Sequence, residues 1–250
     1  MFGTAWLGYF DGNVRRDCAP AAGLRAEVPG DLRHALAVSL GRFQLGEAAG
    51  GRLHEDITTL RDASLDPPLR RSVQLYIEEE WRHSRELASI IRELGGELQT
   101  AHWTNAAFTA CRRILGLRTK MMTLAIAEVI GIVYYRALAS GVRSAALATS
   151  LRRIANEESR HLDFQADFFD HAVASTPRLL RPPYRGLLRG LMHSIFIAAL
   201  GVLLLDHGAL LRRVGAARAA LCRAAWRELA SRRFLETRVA PSRGRSSARS

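Results

Sequence analysis

Two short stretches of the chain set an imidazole three residues after a carboxylate: Glu80-Trp81-Arg82-His83 and Glu158-Ser159-Arg160-His161. On a helix, side chains three apart project in nearly the same direction, so each pair can aim one carboxylate and one ring nitrogen at a common point. Carboxylate and imidazole together make a ligand set for a divalent transition metal. One such pair alone is usually a surface accident or a local salt bridge. Two of them, in separate helical segments, are far more specific.

Both pairs sit on apolar faces. Val73, Tyr76, Leu87 and Ile91 share the stripe of the first, while Leu151 and Ile154 precede the second and Phe168 follows it. Two further carboxylates stand in equally apolar company. Glu47 is reached from Leu36, Leu40 and Phe43 by helical steps, and Glu128 interrupts the run from Met121 to Tyr135. A buried, unpaired carboxylate is costly, and a metal cluster gives each of these a physical reason to be there. The candidate metal ligands are therefore Glu47, Glu80, His83, Glu128, Glu158 and His161. Four carboxylates nearly neutralise two divalent ions, and each imidazole serves one ion. Glu80 and Glu158 are placed to bridge, with Glu47 and Glu128 terminal. The competing reading is an internal Glu–His network neutralised by Arg82 and Arg160.

Four helices must carry these groups. Asp31 can cap the first, which is expected to run into the fifties, with Gly46, Gly50 and Gly51 weakening it or permitting close approach. Pro67-Pro68 start the second, expected over 69–94 and stopped by Gly95-Gly96. The third begins between Asn105 and Arg112 and ends near Gly141, and the fourth spans roughly 143–174, before Pro177. Their lengths and connections are those of an all-α four-helix bundle over 31–176. Residues 1–30, with scattered Gly and Pro, read as an extended N-terminal arm. Additional C-terminal helices occupy 177–231, including the nearly all-apolar stretch Leu191–Leu205. That stretch falls short of the ~20 residues of a confident membrane span. It fits a helix buried against the bundle or in a homodimer interface, with a membrane-associated or substrate-enclosing helix as the alternative. Residues 232–250 read as a basic, disordered tail.

Composition sets limits on function. Cys18, Cys111 and Cys222 form no CxxC pair, which argues against a zinc ribbon, a rubredoxin-like centre or a disulfide scaffold. With no basic-then-apolar leader, a reducing, cytoplasmic setting is expected, with peripheral membrane contact as a second possibility. The net charge of +12 is uneven: the last 40 residues hold eleven arginines and two glutamates, which leaves +3 for the rest. Basicity of that kind attracts anionic membrane or nucleic acid, but nucleic acid is not the expected partner.

Near the candidate ligands, Glu79 and Glu157 are each rotated one position away, where they can accept a hydrogen bond from a metal-bound histidine of another helix; surface exposure is the plain alternative. His54, on nearly the same face as Glu47, is more simply a surface histidine than an extra ligand. Gly131 leaves room beside Glu128 for oxygen or substrate, or for close helix packing. Tyr134 and Tyr135 are expected to be core residues.

The order Glu47, Glu80–His83, Glu128, Glu158–His161 resembles the ferritin-like di-iron carboxylate superfamily, over roughly residues 32–175, in a compact layout similar to rubrerythrin-like proteins. The resemblance implies two iron ions (manganese or a mixed manganese–iron pair being the alternatives), dioxygen or peroxide as co-substrate, a small organic substrate and an external electron donor. The expected activity is an oxidase or oxygenase performing hydroxylation, N-oxygenation or desaturation. Peroxide reduction or iron oxidation is the alternative, although rubrerythrin-like peroxidases carry a cysteine-ligated electron-transfer centre and an additional glutamate where this chain has Leu124-Ala125. Leu87 stands where ribonucleotide reductase small subunits carry the radical tyrosine, which counts against that function. A third reading is a non-catalytic helical interaction or membrane-associated protein. No glycine motif for a flavin or nicotinamide is present.

Overall fold

Pro67 and Pro68 occupy the first turn of a helix of 27 residues, Pro67–Glu93, and Asp66 caps it by accepting from the Leu69 amide at 2.8 Å. In the computed structural model, described for residues 2–14, 23–48, 66–103, 116–232 and 234–235, no strand occurs among the described residues. The helices are α1 (Phe2–Val14), α2 (Leu24–Glu27), α3 (Gly30–Glu47), α4 (Pro67–Glu93), α5 (Gly116–Gly141), α6 (Ala145–Ala174), α7 (Arg181–Asp206), α8 (Gly208–Arg213) and α9 (Arg218–Ser231). A 3₁₀ turn, Arg178–Leu180, leads into α7.

The helices meet where the sequence leaves side chains out. Gly95 ends α4 in a left-handed conformation with φ 79°, and a Cβ on Gly96 would stand 2.4 Å from the Ala37 methyl of α3. Three residues then join α5 to α6. Ser144 caps α6 through the Leu147 amide at 3.2 Å, and so short a connection turns the two helices back on each other along their length. α3 packs on α4, and α7 and α9 pack on α5. One apolar core runs through all of these, with Leu36, Leu40, Tyr76, Ile91, Ile126, Val129, Leu151 and Phe164 fully buried.

The expected extended arm is a helix over part of its length. α1 buries Trp6 and Phe10, one turn apart, against α4 and α6. Gly3 is there for contact: a Cβ on it would lie 2.5 Å from the Leu69 backbone nitrogen, and its carbonyl accepts from Ser72 at 3.0 Å. Burying Trp6 and Phe10 contributes about 1.5–3 kcal/mol each, enough to outweigh the weak helix propensity of three glycines at ~1 kcal/mol each.

α7 packs on the other helices by one side only. Only one of its faces is buried, through Leu188, Met192, Phe196, Ala199, Leu200 and Leu203, while Leu187, Ile197 and Leu205 are 69%, 61% and 81% exposed. Two helical stretches, Leu117–Gly141 and Arg178–Asp206, are long and apolar enough to cross a membrane; 78% of the first is buried in the core, against 28% of the second. The extension of the first helix into the fifties, the start of the third between 105 and 112, His54, Cys18, Cys111 and the tail beyond 235 lie outside the described residues.

Candidate metal centre

α4 and α6 face each other across their polar pairs. Glu80 and His83 on α4, and Glu158 and His161 on α6, are all buried. The contacts cross between the helices. His83 Nδ1 lies 2.8 Å from Glu158 Oε1, and His161 Nδ1 lies 2.7 Å from Glu80 Oε1 and 3.2 Å from Glu158 Oε2. One ligand atom from each of the four residues falls within 4.8 Å of the others. The imidazole rings are 5.6 Å apart, so neither blocks the space between them.

The far side of each ring meets an outer acidic layer. His83 Nε2 is 2.7 Å from Glu157 Oε2, and His161 Nε2 is 3.5 Å from Glu79 Oε2. Each imidazole is thus backed by the carboxylate preceding the ligand glutamate of the other helix, and neither Glu79 nor Glu157 is a surface group. Arg82 joins the two, at 2.7 Å from Glu79 and 3.0 Å from Glu157. Glu79, His83 and Glu157 also cluster closely enough for a cation, but the Arg82 guanidinium already supplies the charge there. Arg153 contacts Glu86 and approaches Glu157 to 3.8 Å. Arg160 does not neutralise the inner carboxylates: it pairs with Asp163 at 3.0 Å and lies over the Trp6 and Tyr9 rings. The Glu–His–Arg network is therefore real, but its arginine serves the outer layer only.

The remaining two carboxylates flank the inner group. Glu128 is buried, and one of its oxygens accepts from the Tyr76 hydroxyl at 2.5 Å and from Gln165 Nε2 at 2.6 Å. Glu47 is half-buried at the C-terminal end of α3 and accepts from Tyr135 at 3.0 Å. Tyr76, Gln165 and Tyr135 were not singled out as site residues by sequence reasoning. The signal was available: Tyr76 stands four residues before Glu80, and Gln165 four after His161, on the same faces. Phe10 of α1 and Tyr76 both pack on the His161 ring, at 5.9 and 4.9 Å between centroids.

Charge is unevenly distributed over the cluster. Burial, then the charges of Glu80 and Glu158, raises Glu47 well above the usual carboxylate range. Burial also raises Glu128, against the pull of His161. For Glu158, burial is outweighed by the His83 charge and by bonds to both imidazoles, which hold the carboxyl down to about 2. Burial would depress the His83 imidazole, but Glu158 and the bond to Glu157 carry it up to about 10, and His161 is raised for like reasons.

A cavity of about 120 Å³ opens on the carboxylate side of the group. Glu47, Glu80, Glu128 and Glu158 form one wall. Leu124, Ala127, Ile130 and Gly131 of α5 form another, and Ala199, Val202 and Leu203 of α7 close it. His207 lines the same space; burial, then Arg42, pushes it down to about 3, and its Nδ1 lies 2.7 Å from Ser39 Oγ. Gly131 gives open volume here, since a Cβ would make only ordinary contacts with Tyr135 and Phe43. A Cβ on Gly46, which also lines the cavity, would meet nothing within 4 Å among the described residues.

The donor set fits a metal ion. The carboxylates and imidazoles converge within ion-pair distance, His83 Nδ1 on Glu158 Oε1 and His161 Nδ1 on Glu80 Oε1, and Glu128 Oε2 is buried without a hydrogen-bond partner among the described residues. A cation in that space would replace the imidazole protons and satisfy the Glu128 oxygen, which otherwise costs about 1–3 kcal/mol. The buried Glu and His groups could hold a metal ion. Compared with known proteins, the chain matches no family model, no curated protein and no solved structure.

Proposed function

We propose that the chain is a ferritin-like di-iron carboxylate protein that activates dioxygen to oxidise a small organic substrate by hydroxylation, N-oxygenation or desaturation. On this reading α3, α4, α5 and α6 are the four helices of the bundle. Glu47, Glu80, Glu128 and Glu158 would hold the two ions through their carboxylates, and His83 and His161 would supply the nitrogen ligands. Iron in such a site supplies the electrons and open coordination positions that dioxygen requires.

The chain's own residues then have definable tasks. Glu157 and Glu79 orient the imidazoles, and Arg82 balances the outer carboxylates so that ligand charge is left for the metals. Tyr76 and Gln165 fix one oxygen of Glu128 and leave the other free to ligate. Tyr135 donates to Glu47, and this half-buried carboxylate is the most exposed of the proposed ligands, free to shift as substrate enters. α7 excludes water and offers an apolar wall to the substrate's carbon skeleton.

The observation that carries the choice of an organic substrate is the apolar cavity on the Glu47–Glu128 side. Peroxide reduction or iron oxidation needs no such space. Reducing equivalents come from a separate donor protein or from the substrate.

Anaerobic loading with ferrous iron, metal analysis, and exposure to air with and without candidate apolar substrates test this. We expect about two irons per chain, lost in Glu80→Ala and Glu158→Ala, and oxygen uptake coupled to substrate oxidation. Well under one iron per chain, unchanged by either substitution, overturns the site. Stoichiometric loading with oxygen consumed only by iron itself overturns the organic substrate.

A further inference from the structure

The exposed face of α7 is the largest feature that the metal centre leaves unexplained. Leu187, Ile197 and Leu205 recur at helical spacing on the side opposite the buried Leu188, Met192, Phe196 and Leu203, with Leu191, Ala198 and Gly201 between them. At 1.5 Å per residue, the face from Leu187 to Leu205 is a ridge about 27 Å long. Water gains nothing from such a surface, and apolar patches of this extent on soluble proteins mark contact sites.

Charge selects the partner. Residues 177–232 carry ten arginines against Asp206 and Glu228, a local balance of +8. Arg178, Arg189, Arg212, Arg223 and Arg227 are exposed. Trp226 of α9, 43% exposed, packs its ring on Phe196 of α7 at 4.7 Å, so α9 and its arginines are held against α7. An exposed apolar stripe in a segment rich in exposed arginines is what a helix lying in an anionic bilayer interface presents. A second copy would instead bring two arginine-rich surfaces of like charge together.

We infer that α7 docks this protein flat on an anionic membrane, with Leu187, Ile197 and Leu205 entering the lipid and the surrounding arginines meeting its headgroups. The helix does not span the bilayer, because its other face is fixed to the core through Phe196, Ala199 and Leu203. Ala199, Val202 and Leu203 also wall the cavity at the carboxylates, so one helix separates that cavity from the lipid. Resting on the proposed function, this gives the substrate class: a lipid-soluble molecule drawn from the bilayer. The docking itself stands without that function.

Flotation of the full chain with vesicles tests the docking and reads no metal chemistry, so it can fail or succeed apart from the metal centre. Vesicles of phosphatidylcholine with about one third phosphatidylglycerol are compared with phosphatidylcholine alone. We expect the protein to float with the anionic vesicles, to bind the neutral ones far less, and to be weakened but not released by added salt. The variant Ile197→Glu/Leu205→Glu, altered only at exposed positions, is expected to bind the anionic vesicles at least ~10-fold less, with unchanged helical circular dichroism. No flotation of the wild type overturns the inference. So does undiminished flotation of the variant, which would assign binding to the basic C-terminus alone. A lipid-free dimer that the same substitutions dissociate, with no vesicle binding, also overturns it and assigns the face to a second copy.

Discussion

Metal binding at this centre must release protons, and the number follows from the geometry. In the metal-free chain His83 is carried up to about 10 and His161 is raised well above its usual value, both by surrounding carboxylates, so both rings are protonated near pH 7. Their Nδ1 atoms face Glu158 and Glu80, in the position a metal would take, and a ligating nitrogen cannot keep its proton. Loading at pH 7 should therefore expel at least two protons per chain. Glu47 and Glu128, both raised by burial and neighbouring charge, contribute up to one more each, for about two to four in all. Each proton released strengthens apparent affinity by about 1.4 kcal/mol, or tenfold, per pH unit. Titrating ferrous or manganous ion in buffers of different ionisation enthalpy, by calorimetry between pH 6 and pH 8, counts the protons directly. Release of fewer than about one proton, or affinity flat with pH, would refute the assignment of both imidazoles as ligands. The same protonation has a stability consequence of opposite sign. A raised imidazole stabilises the metal-free fold fully below its unfolded value near 6.5, and that contribution is lost as pH rises through about 10. The melting temperature of metal-free protein should fall across that window, while metal-loaded protein, with its imidazoles already deprotonated, should lack the decline.

Three further perturbations separate the layers of the site. Glu157→Gln removes the charged partner of His83 and one of the two carboxylates on Arg82, and should weaken metal affinity about 10–100-fold while leaving helical content intact; equilibrium metal competition measures it. Gly46→Ala replaces a helical glycine whose Cβ would meet nothing within 4 Å among the described residues, so thermal unfolding should show a gain of about 0.5–1 kcal/mol, whereas Gly46→Leu should reach into the cavity and lower substrate affinity without changing metal content. Gly3→Val forces a side chain onto the Leu69 backbone and should cost about 1–3 kcal/mol in chemical denaturation, with α1 displaced from α4.

The burial of the inner carboxylates and imidazoles was legible because burial and charge conflict so sharply in the sequence. A lone Glu128 among Ala125, Ile126, Val129 and Ile130 has few explanations, and the i,i+3 pairs admit one shared direction. Helix ends were legible where chemistry marks them, at Pro67-Pro68, Gly95 and Gly141. Residues whose role depends on what lies opposite were harder. Gly3, Gly8 and Gly12 look like punctuation in one dimension, yet Gly3 is a contact point between α1 and α4. Tyr76 reads as core, which it is, but its hydroxyl reaches across to α5, and nothing local to α4 announces Glu128 as the acceptor. The orientation of α7 was hidden for a related reason: a helix apolar on all sides carries no polar stripe to say which face is outward.

The centre's two sides are built for different work. Behind the imidazoles, Glu79, Glu157 and Arg82 form a buried ionic layer, and Phe10 and Tyr76 cover the His161 ring. Rearranging that layer would strand a buried charge, at a cost of about 3–5 kcal/mol, so it holds the nitrogen ligands in place. On the opposite side the terminal carboxylates have fewer restraints, one tyrosine for Glu47 and a Tyr–Gln pair for Glu128, and they border open apolar space. Ligand movement, if it accompanies turnover, is therefore directed to Glu47, the most exposed of the six. Tyr135→Phe isolates this asymmetry. It removes the hydrogen bond that Tyr135 donates to Glu47 without touching the ionic layer. Metal content should be retained while the pH profile and substrate affinity shift; loss of metal equal to that of Glu80→Ala would show that both sides are equally structural and that the division of labour is wrong.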